Sequence, residues 1–146
     1  MADLTLTSSA VVPSVDATLI TLIAGVAIAA GQPVYQDTAD LDSYNRGKAK
    51  LADANASTPT AIVNGVLGLA ASSAGVGQPV SICLADPAWT HGLTGVVKGD
   101  IIILSATAGG LAPAADLASG HRPSVCLVAT STTQAVLKII NGPVAK

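Results

Sequence analysis

Glycine and proline recur at short intervals through this chain and divide it into short apolar runs rich in Val, Ile, Leu and Ala. Turn residues spaced in this way are typical of strands. All nine acidic residues are Asp, which bonds nearby backbone and favours turns over long surface helices. The pattern predicts an all-β fold, a small antiparallel β-barrel or sandwich of roughly nine short strands.

The 146 residues fit one domain preceded by an extended N-terminal arm. We place the arm at residues 1–16 and the β-rich domain at residues 17–146. Leu4-Thr5-Leu6-Thr7 alternates apolar and polar residues, which indicates an extended arm or an edge strand. Pro13 would end its backbone pairing, because proline has no N–H to donate.

A turn sequence occurs twice, as Gly31-Gln32-Pro33-Val34 and as GQPV at 77–80. Glycine suits such turns because many of them need a positive φ. Two short matches are weak support for an internal duplication, so we interpret them as recurrent hairpin chemistry. Other turns are predicted at 109–110 and, between the last two strands, at 130–133.

Two longer segments are predicted to be loops. The most polar stretch, 37–47, is interpreted as an exposed loop that returns through a strand, and 84–92 as a proline-containing loop that carries Trp89. Residues 53–59 form a further predicted loop before an apolar strand at 62–70. A helical turn is expected at 116–118.

Charged residues make up only 11% of the chain, against about 25% in typical proteins, and the mean hydropathy is +0.59. We therefore expect part of the surface to be covered by contacts between chains. Seven scattered Lys and Arg form no basic stripe, so neither nucleic acid nor an anionic membrane is an expected partner. The longest apolar stretch, 19–30, is shorter than the ~20 residues of a membrane span. The N-terminus has no secretory signal pattern, so synthesis in a cytoplasm is expected.

The residues that could carry chemistry are few. His91 and His121 are the only histidines, and both are interpreted as exposed turn residues. No Gly-x-Ser-x-Gly sequence is present, and a Ser-His-Asp triad is disfavoured. Cys83 and Cys126 lie in apolar runs and are expected to be buried free thiols, with a bridge between neighbouring strands left open.

Metal and phosphate sites are equally poorly supported. The cysteines and histidines lack the close spacing of zinc ligands. Asp37, Asp40 and Asp42 lack the central glycine and final Glu of a calcium loop. Phosphate-binding glycine motifs are absent. We assign no catalytic, cofactor-binding or metal-binding residue and expect the chain not to be an enzyme.

Several segments, in order, resemble the head decoration or capsid cement proteins of tailed bacteriophages. They are AGQPVY at 30–35, KLADANAS at 50–57, GQPV at 77–80, LSATAGGLAPAADL at 104–117, VATSTT at 128–133 and VLKII at 136–140. The resemblance covers most of the chain from about Gly25 onward. It implies a protein that docks on the outer surface of a virion capsid, commonly as a homotrimer, and clamps neighbouring subunits of the major capsid protein.

The resemblance also implies a role for the arm, which in such proteins often reaches across the coat. Here the arm would be Ala2 to Val12, with Leu4, Leu6, Val11 and Val12 as capsid-contact residues through strand pairing and apolar contact. Two alternatives remain open. One is a head-fibre base or tail structural protein, and the other is a small sugar-binding β-barrel with Trp89, Tyr35 and Tyr44 as its stacking surface.

Overall fold

The computed structural model describes residues 3–55 and 65–142 and confirms the all-β prediction, with 47% of the chain in strands and 5% helical. Short 3₁₀ turns occur at Ser8–Ala10 and Ala114–Asp116, the second of them close to the predicted helical turn. The strands are β1 (Thr18–Ile23), β2 (Pro33–Leu41), β3 (Gly47–Leu51), β4 (Gly68–Ala70), β5 (Pro79–Thr90), β6 (Ile101–Leu104), β7 (Leu111–Pro113), β8 (Ser124–Ala129) and β9 (Gln134–Asn141).

The strands form one antiparallel sheet that curls into a half-barrel. Its order is β3-β2-β4-β5-β9-β8-β6-β7, and β1 pairs with β5 outside this path. The long strand β5 links the two halves, because its first half pairs with β1 and β4 and its second half with β9. At the end of β1 the sheet folds back, where Ala24 forms a parallel bridge with Ala49 of β3.

Two hydrophobic clusters fill the interior. The larger one includes Trp89, Leu69 and Leu127 and draws its residues from β2 and from β4 to β9. The smaller one includes Ile28, Val80 and several alanines, and lies between β1, β2 and β5. Small and β-branched side chains suit this thin arrangement because they pack well on pleated surfaces.

The two Gly-Gln-Pro-Val segments make the same local hydrogen bonds, as the interpretation of recurrent hairpin chemistry predicts. The Gln32 side-chain oxygen accepts from the Ala29 N–H, and that of Gln78 accepts from the Gly75 N–H, each at 2.9 Å. Gly31 and the glycine at 77 have φ values of +91° and +82°. Both turns therefore use a conformation that side chains other than glycine rarely adopt.

The two turns also face each other across a local two-fold arrangement. Ile28 and Ala74 exchange a pair of backbone hydrogen bonds of 2.9 Å. The Gly31 N–H donates to the Ala70 oxygen at 2.7 Å, and the equivalent bond runs from the glycine at 77 to the Ala24 oxygen at 2.8 Å. Each segment thus completes the backbone pairing of the other.

Two loop predictions are wrong. β2 continues to Leu41, so the first five residues of the polar stretch at 37–47 are strand, and Asp37 pairs with Lys48. Beyond Val34 this strand pairs with β3 alone, which explains its polar sequence. Trp89 lies within β5 and is fully buried. Of the predicted apolar strand at 62–70, β4 occupies the end, residues 62–64 lie outside the described residues, and so do 56–59 of the predicted loop.

Candidate interaction surfaces

The N-terminal arm lies against its own body over the described residues 3–12. Ala2 lies outside the described residues. The backbone bonds that fix the arm are Leu4 N–H to Leu111 O (2.8 Å), Thr94 N–H to Thr5 O (3.0 Å), Thr7 N–H to Gly92 O (2.8 Å), Val12 N–H to Thr90 O (3.1 Å) and Thr90 N–H to Val12 O (3.0 Å). The arm therefore adds short β-bridges to the sheet, at Leu6 with Leu93 and at Val12 with Thr90.

Three glycines of the body leave room for the arm. A Cβ atom on Gly31 would lie 2.8 Å from methyl carbons of both Leu6 and Val11. One on Gly92 would lie 2.6 Å from the Thr7 carbonyl oxygen, and one on Gly110 would lie 2.8 Å from a carboxylate oxygen of Asp3. We call the surface formed by these glycines the arm seat, since a side chain added there would meet atoms of the arm.

The buried carboxylate of Asp86 fixes the chain just after the arm. It is 1% exposed and accepts a hydrogen bond from the Ser14 N–H at 2.7 Å, another from the Ser14 hydroxyl and a third from the Ala88 N–H at 2.9 Å. A buried carboxylate needs such partners because an unpaired one is costly to desolvate. The path of the chain from Val12 into β1 is therefore set by contacts with β5.

The four predicted capsid-contact residues differ in exposure. Leu4 and Leu6 are half-buried against the larger cluster, Val11 is buried, and Val12 is 54% exposed. With the arm on its seat, Val12 is the member of this set that is open to a partner.

His91 is not an exposed turn residue, which corrects the sequence interpretation. It is 1% exposed, follows β5 directly, and its Nδ1 accepts the Leu93 N–H at 2.9 Å. Burial lowers the pKa of its imidazole. It borders a cavity of about 240 Å³ between the arm and the β8–β9 turn, which is lined by Thr7, Ala10, Thr90, His91, Gly92, Leu93, Thr132 and Thr133. His121 is half-buried rather than exposed.

Cys83 and Cys126 are buried free thiols, as predicted. Burial, with a contribution from the Asp86 carboxylate, raises the pKa of Cys83 to about 11, and burial alone raises that of Cys126 to about 12. Both thiols are therefore protonated at neutral pH and poor nucleophiles. Within residues 3–55 and 65–142, no three His, Cys, Asp or Glu side chains come together as metal ligands.

The β2–β3 hairpin carries an exposed tip, which we define as residues 41–46. Tyr44 is 75% exposed and Leu41 is 48% exposed. Asp42 holds the turn by accepting the N–H groups of Tyr44 (2.8 Å) and Arg46 (3.0 Å). The Arg46 guanidinium lies 5.6 Å from the centre of the Tyr44 ring. The tip therefore presents an aromatic side chain, with a guanidinium close to its ring, to the outside.

Ion pairs along the same hairpin balance its charges. Lys50 contacts Asp37 at 2.8 Å and Asp40 at 3.0 Å, while Lys48 contacts Asp40 at 3.2 Å. The two carboxylates raise the pKa of Lys50 to about 12. These ion pairs join β2 to β3 beyond the point where β4 pairs with the hairpin.

A second exposed apolar surface crosses the outer face of β6, β8 and β9. Ile101 pairs directly with Val128, and Val128 pairs directly with Val136. Their side chains are 46%, 41% and 38% exposed, respectively. Directly paired residues place their Cβ atoms about 5 Å apart, so the three side chains form a continuous line. We call this line the outer row.

The outer row was not identified from the sequence, although a signal for it is present. The strand segments Ile101–Leu104 and Ser124–Ala129 are apolar almost throughout instead of alternating with polar residues. A strand with one face in water normally alternates, whereas a continuous apolar run indicates that both faces are covered. In the described chain one of these faces remains open.

The predicted sugar-stacking surface is wrong. Trp89 is fully buried, Tyr35 is 7% exposed, and only Tyr44 is on the outside. A stacking site needs aromatic faces that a ligand can reach together, and these three side chains do not provide one.

No protein-family model and no curated protein matches this chain. Among the described residues, no helix has the length and apolar character needed to cross a bilayer.

Proposed function

We propose that this protein is a non-enzymatic capsid decoration protein, which binds the outer surface of a phage head as a homo-oligomer and stabilises the coat lattice. Its partners are the major capsid protein and further copies of itself. The resemblance of the ordered segments from 30 to 140 to capsid cement proteins supports this assignment, and so does the all-β fold. By the same resemblance the oligomer is a trimer.

One structural observation carries the proposal further than the sequence does. Among the described residues, the hairpin tip on β2–β3, with Leu41 and Tyr44, and the outer row on β6, β8 and β9 are two separate surfaces with exposed large side chains, and these strands lie toward opposite ends of the sheet order. A protein that joins copies of itself to a shell needs two separate contact surfaces. A sugar-binding barrel or an enzyme needs one concave site instead.

The hairpin tip suits the contact with the coat. Tyr and Arg are enriched among the residues that dominate binding energy, and both are present at the tip. The tip is already folded into a turn by the Tyr44 and Arg46 N–H groups that donate to Asp42, so little backbone entropy is lost on docking. Binding that favours the assembled lattice over its free subunits stabilises that lattice by mass action.

Cryo-electron microscopy of the native particle that contains this chain tests the proposal. We expect regular density for the chain over the outer lattice, with the hairpin tip against the coat protein. Density confined to a vertex or to the tail would instead identify a head-fibre base or a tail structural protein. Absence of the chain from every particle would refute both assignments.

A further inference from the structure

We infer that the His91 imidazole holds the N-terminal arm on its seat only while it is neutral, and that its protonation releases residues 3–12. The imidazole accepts a hydrogen bond at Nδ1 from Leu93, and Leu93 is itself paired with the arm. Release concerns the single chain and does not depend on the proposed function. It turns a folded-back arm into a free segment.

The hydrogen bond between His91 and Leu93 requires the neutral imidazole. The Leu93 N–H donates to Nδ1 at 2.9 Å, so Nδ1 carries no proton. A protonated imidazole has an N–H at both of its nitrogens and accepts at neither. Protonation therefore places two donors against each other, and one of the two groups has to move.

The segment that follows His91 is the part of the body to which the middle of the arm is paired. Leu93 forms a β-bridge with Leu6. The adjacent Gly92 carbonyl accepts from the Thr7 N–H at 2.8 Å, and a Cβ atom on Gly92 would lie 2.6 Å from the Thr7 carbonyl oxygen. With so close a fit, a displacement of this segment is transmitted directly to the arm.

The rest of the arm has few backbone contacts that could hold it once the middle is lost. Its other backbone bonds to the body are at its ends, at Leu4 and at Val12. Beyond the arm, Ser14 donates two hydrogen bonds to the Asp86 carboxylate, and these bonds do not involve His91. The moving unit therefore ends before Ser14, and Pro13 lies at the hinge.

The surroundings of the imidazole do not compensate a positive charge. His91 is 1% exposed and borders the cavity of about 240 Å³, whose lining contains four threonines and no carboxylate. Burial lowers the pKa of His91, although the Ser131 carbonyl favours the charged form. The charged side chains on the arm, β5 and β9 are Asp3, which binds Ser105, Asp86, which binds Ser14, and Lys138, whose residue pairs with Ala85.

The sign and the size of the effect follow from linkage between protonation and release. The released arm leaves the imidazole in water with its ordinary pKa of 6.5, whereas the seated arm keeps the pKa lower. Release is therefore independent of pH well above 6.5 and becomes more favourable as the pH falls below it. Between pH 7 and pH 5 its equilibrium constant rises by up to about 25-fold.

Amide hydrogen exchange of the purified wild-type protein at pH 7 and pH 5 tests this directly. Protection factors correct for the intrinsic pH dependence of exchange, and those of the Thr7 and Val12 amides should fall by at least about fivefold. The Ile28 amide donates to Ala74 within the smaller cluster and should keep its protection.

A pair of histidine variants assigns the effect to one imidazole. His91→Asn cannot be protonated in this range but keeps an oxygen that can accept the Leu93 N–H, so its arm protection should be the same at both pH values. His121→Asn is the matched control, because it removes the other histidine and should keep the wild-type pH dependence. Circular dichroism at both pH values checks that each variant is folded.

The inference is overturned if the Thr7 and Val12 amides keep their protection at pH 5, or if Ile28 loses protection to the same extent. An equal fall in a folded His91→Asn would also overturn it, because the effect would then come from another group. Nitrogen NMR of the wild-type imidazole at pH 7 needs no variant. It should show an unprotonated Nδ1, and a proton on Nδ1 would contradict the inference.

Discussion

Replacing Gly92 by alanine tests whether the N-terminal arm is part of the folded body. Gly92 has a φ of +67°, and an added Cβ would lie 2.6 Å from the Thr7 carbonyl oxygen and 3.1 Å from a methyl of Val11. Gly95 is the matched control, because it has a φ of +83° and a Cβ there would meet nothing within 4 Å. Both changes carry the backbone strain, but only Gly92→Ala pushes against the arm.

The expected magnitudes follow from these contacts. A left-handed conformation costs an alanine about 1–2 kcal/mol, which is the whole effect expected for Gly95→Ala. Gly92→Ala should also lose the hydrogen bonds made by Thr5 and Thr7, at about 1 kcal/mol each, and the burial of Val11, worth about 2 kcal/mol. The freed arm regains conformational entropy, so we expect a net further loss of about 2 kcal/mol.

Urea denaturation at one fixed protein concentration measures the difference in unfolding free energy between the two variants. Hydrogen exchange at the Leu4, Thr7 and Val12 amides reports the arm directly, and these amides should lose protection in Gly92→Ala alone. Equal destabilisation by the two substitutions, within about 0.5 kcal/mol, together with unchanged exchange would refute the view that the arm seat holds the arm.

Three further predictions concern His91, the thiols and the hairpin tip. Burial lowers the pKa of His91, so the contribution of this residue to stability is present above the unfolded pKa near 6.5 and is lost as the pH falls below it, by up to about 1.4 kcal/mol per pH unit. The variant His91→Asn keeps an oxygen that can accept the Leu93 N–H, and it should flatten the dependence of unfolding free energy on pH between 6.5 and 5. An unchanged slope would contradict this. Neither Cys83 nor Cys126 should react with an aromatic disulfide reagent at pH 8 in the native protein, and both should react in denaturant, whereas fast native labelling would show that a thiol is accessible. Tyr44→Ala should weaken particle binding by roughly tenfold or more and leave the melting temperature unchanged. The neighbouring change Ser43→Ala should have no effect on binding. Equal binding by both variants would exclude the tip from the coat contact.

Several features could be predicted from the sequence because they depend on neighbours in the chain. Gly31 permits the positive φ that its turn requires, and Gln32 caps that turn from three residues away. The hairpin between β8 and β9 forms where the polar turn at 130–133 separates two apolar runs. The cysteines are buried because the runs around them are apolar, a pattern that is itself local.

Other features depend on which distant strand covers a given residue. Trp89 and His91 follow Pro87 in a segment that has the composition of a loop, yet β9 pairs with this part of β5 and the arm covers its end. The arm itself has the sequence of an extended tail. It packs closely against glycines at 31, 92 and 110, which are remote from it in the chain. Such contacts cannot be inferred from local propensity.

The sequence by itself determined the all-β class, the positions of most turns and the burial of the two cysteines, since backbone conformation and local hydrophobicity act over a few residues. Only the tertiary structure decided that the arm lies on the arm seat. It also decided that the sequence neighbours Leu127 and Val128 point to opposite sides of the sheet, Leu127 into the core and Val128 to the outside. The physical reason is that strand neighbours alternate between two faces, and the presence of a covering layer on each face depends on residues far away in the chain.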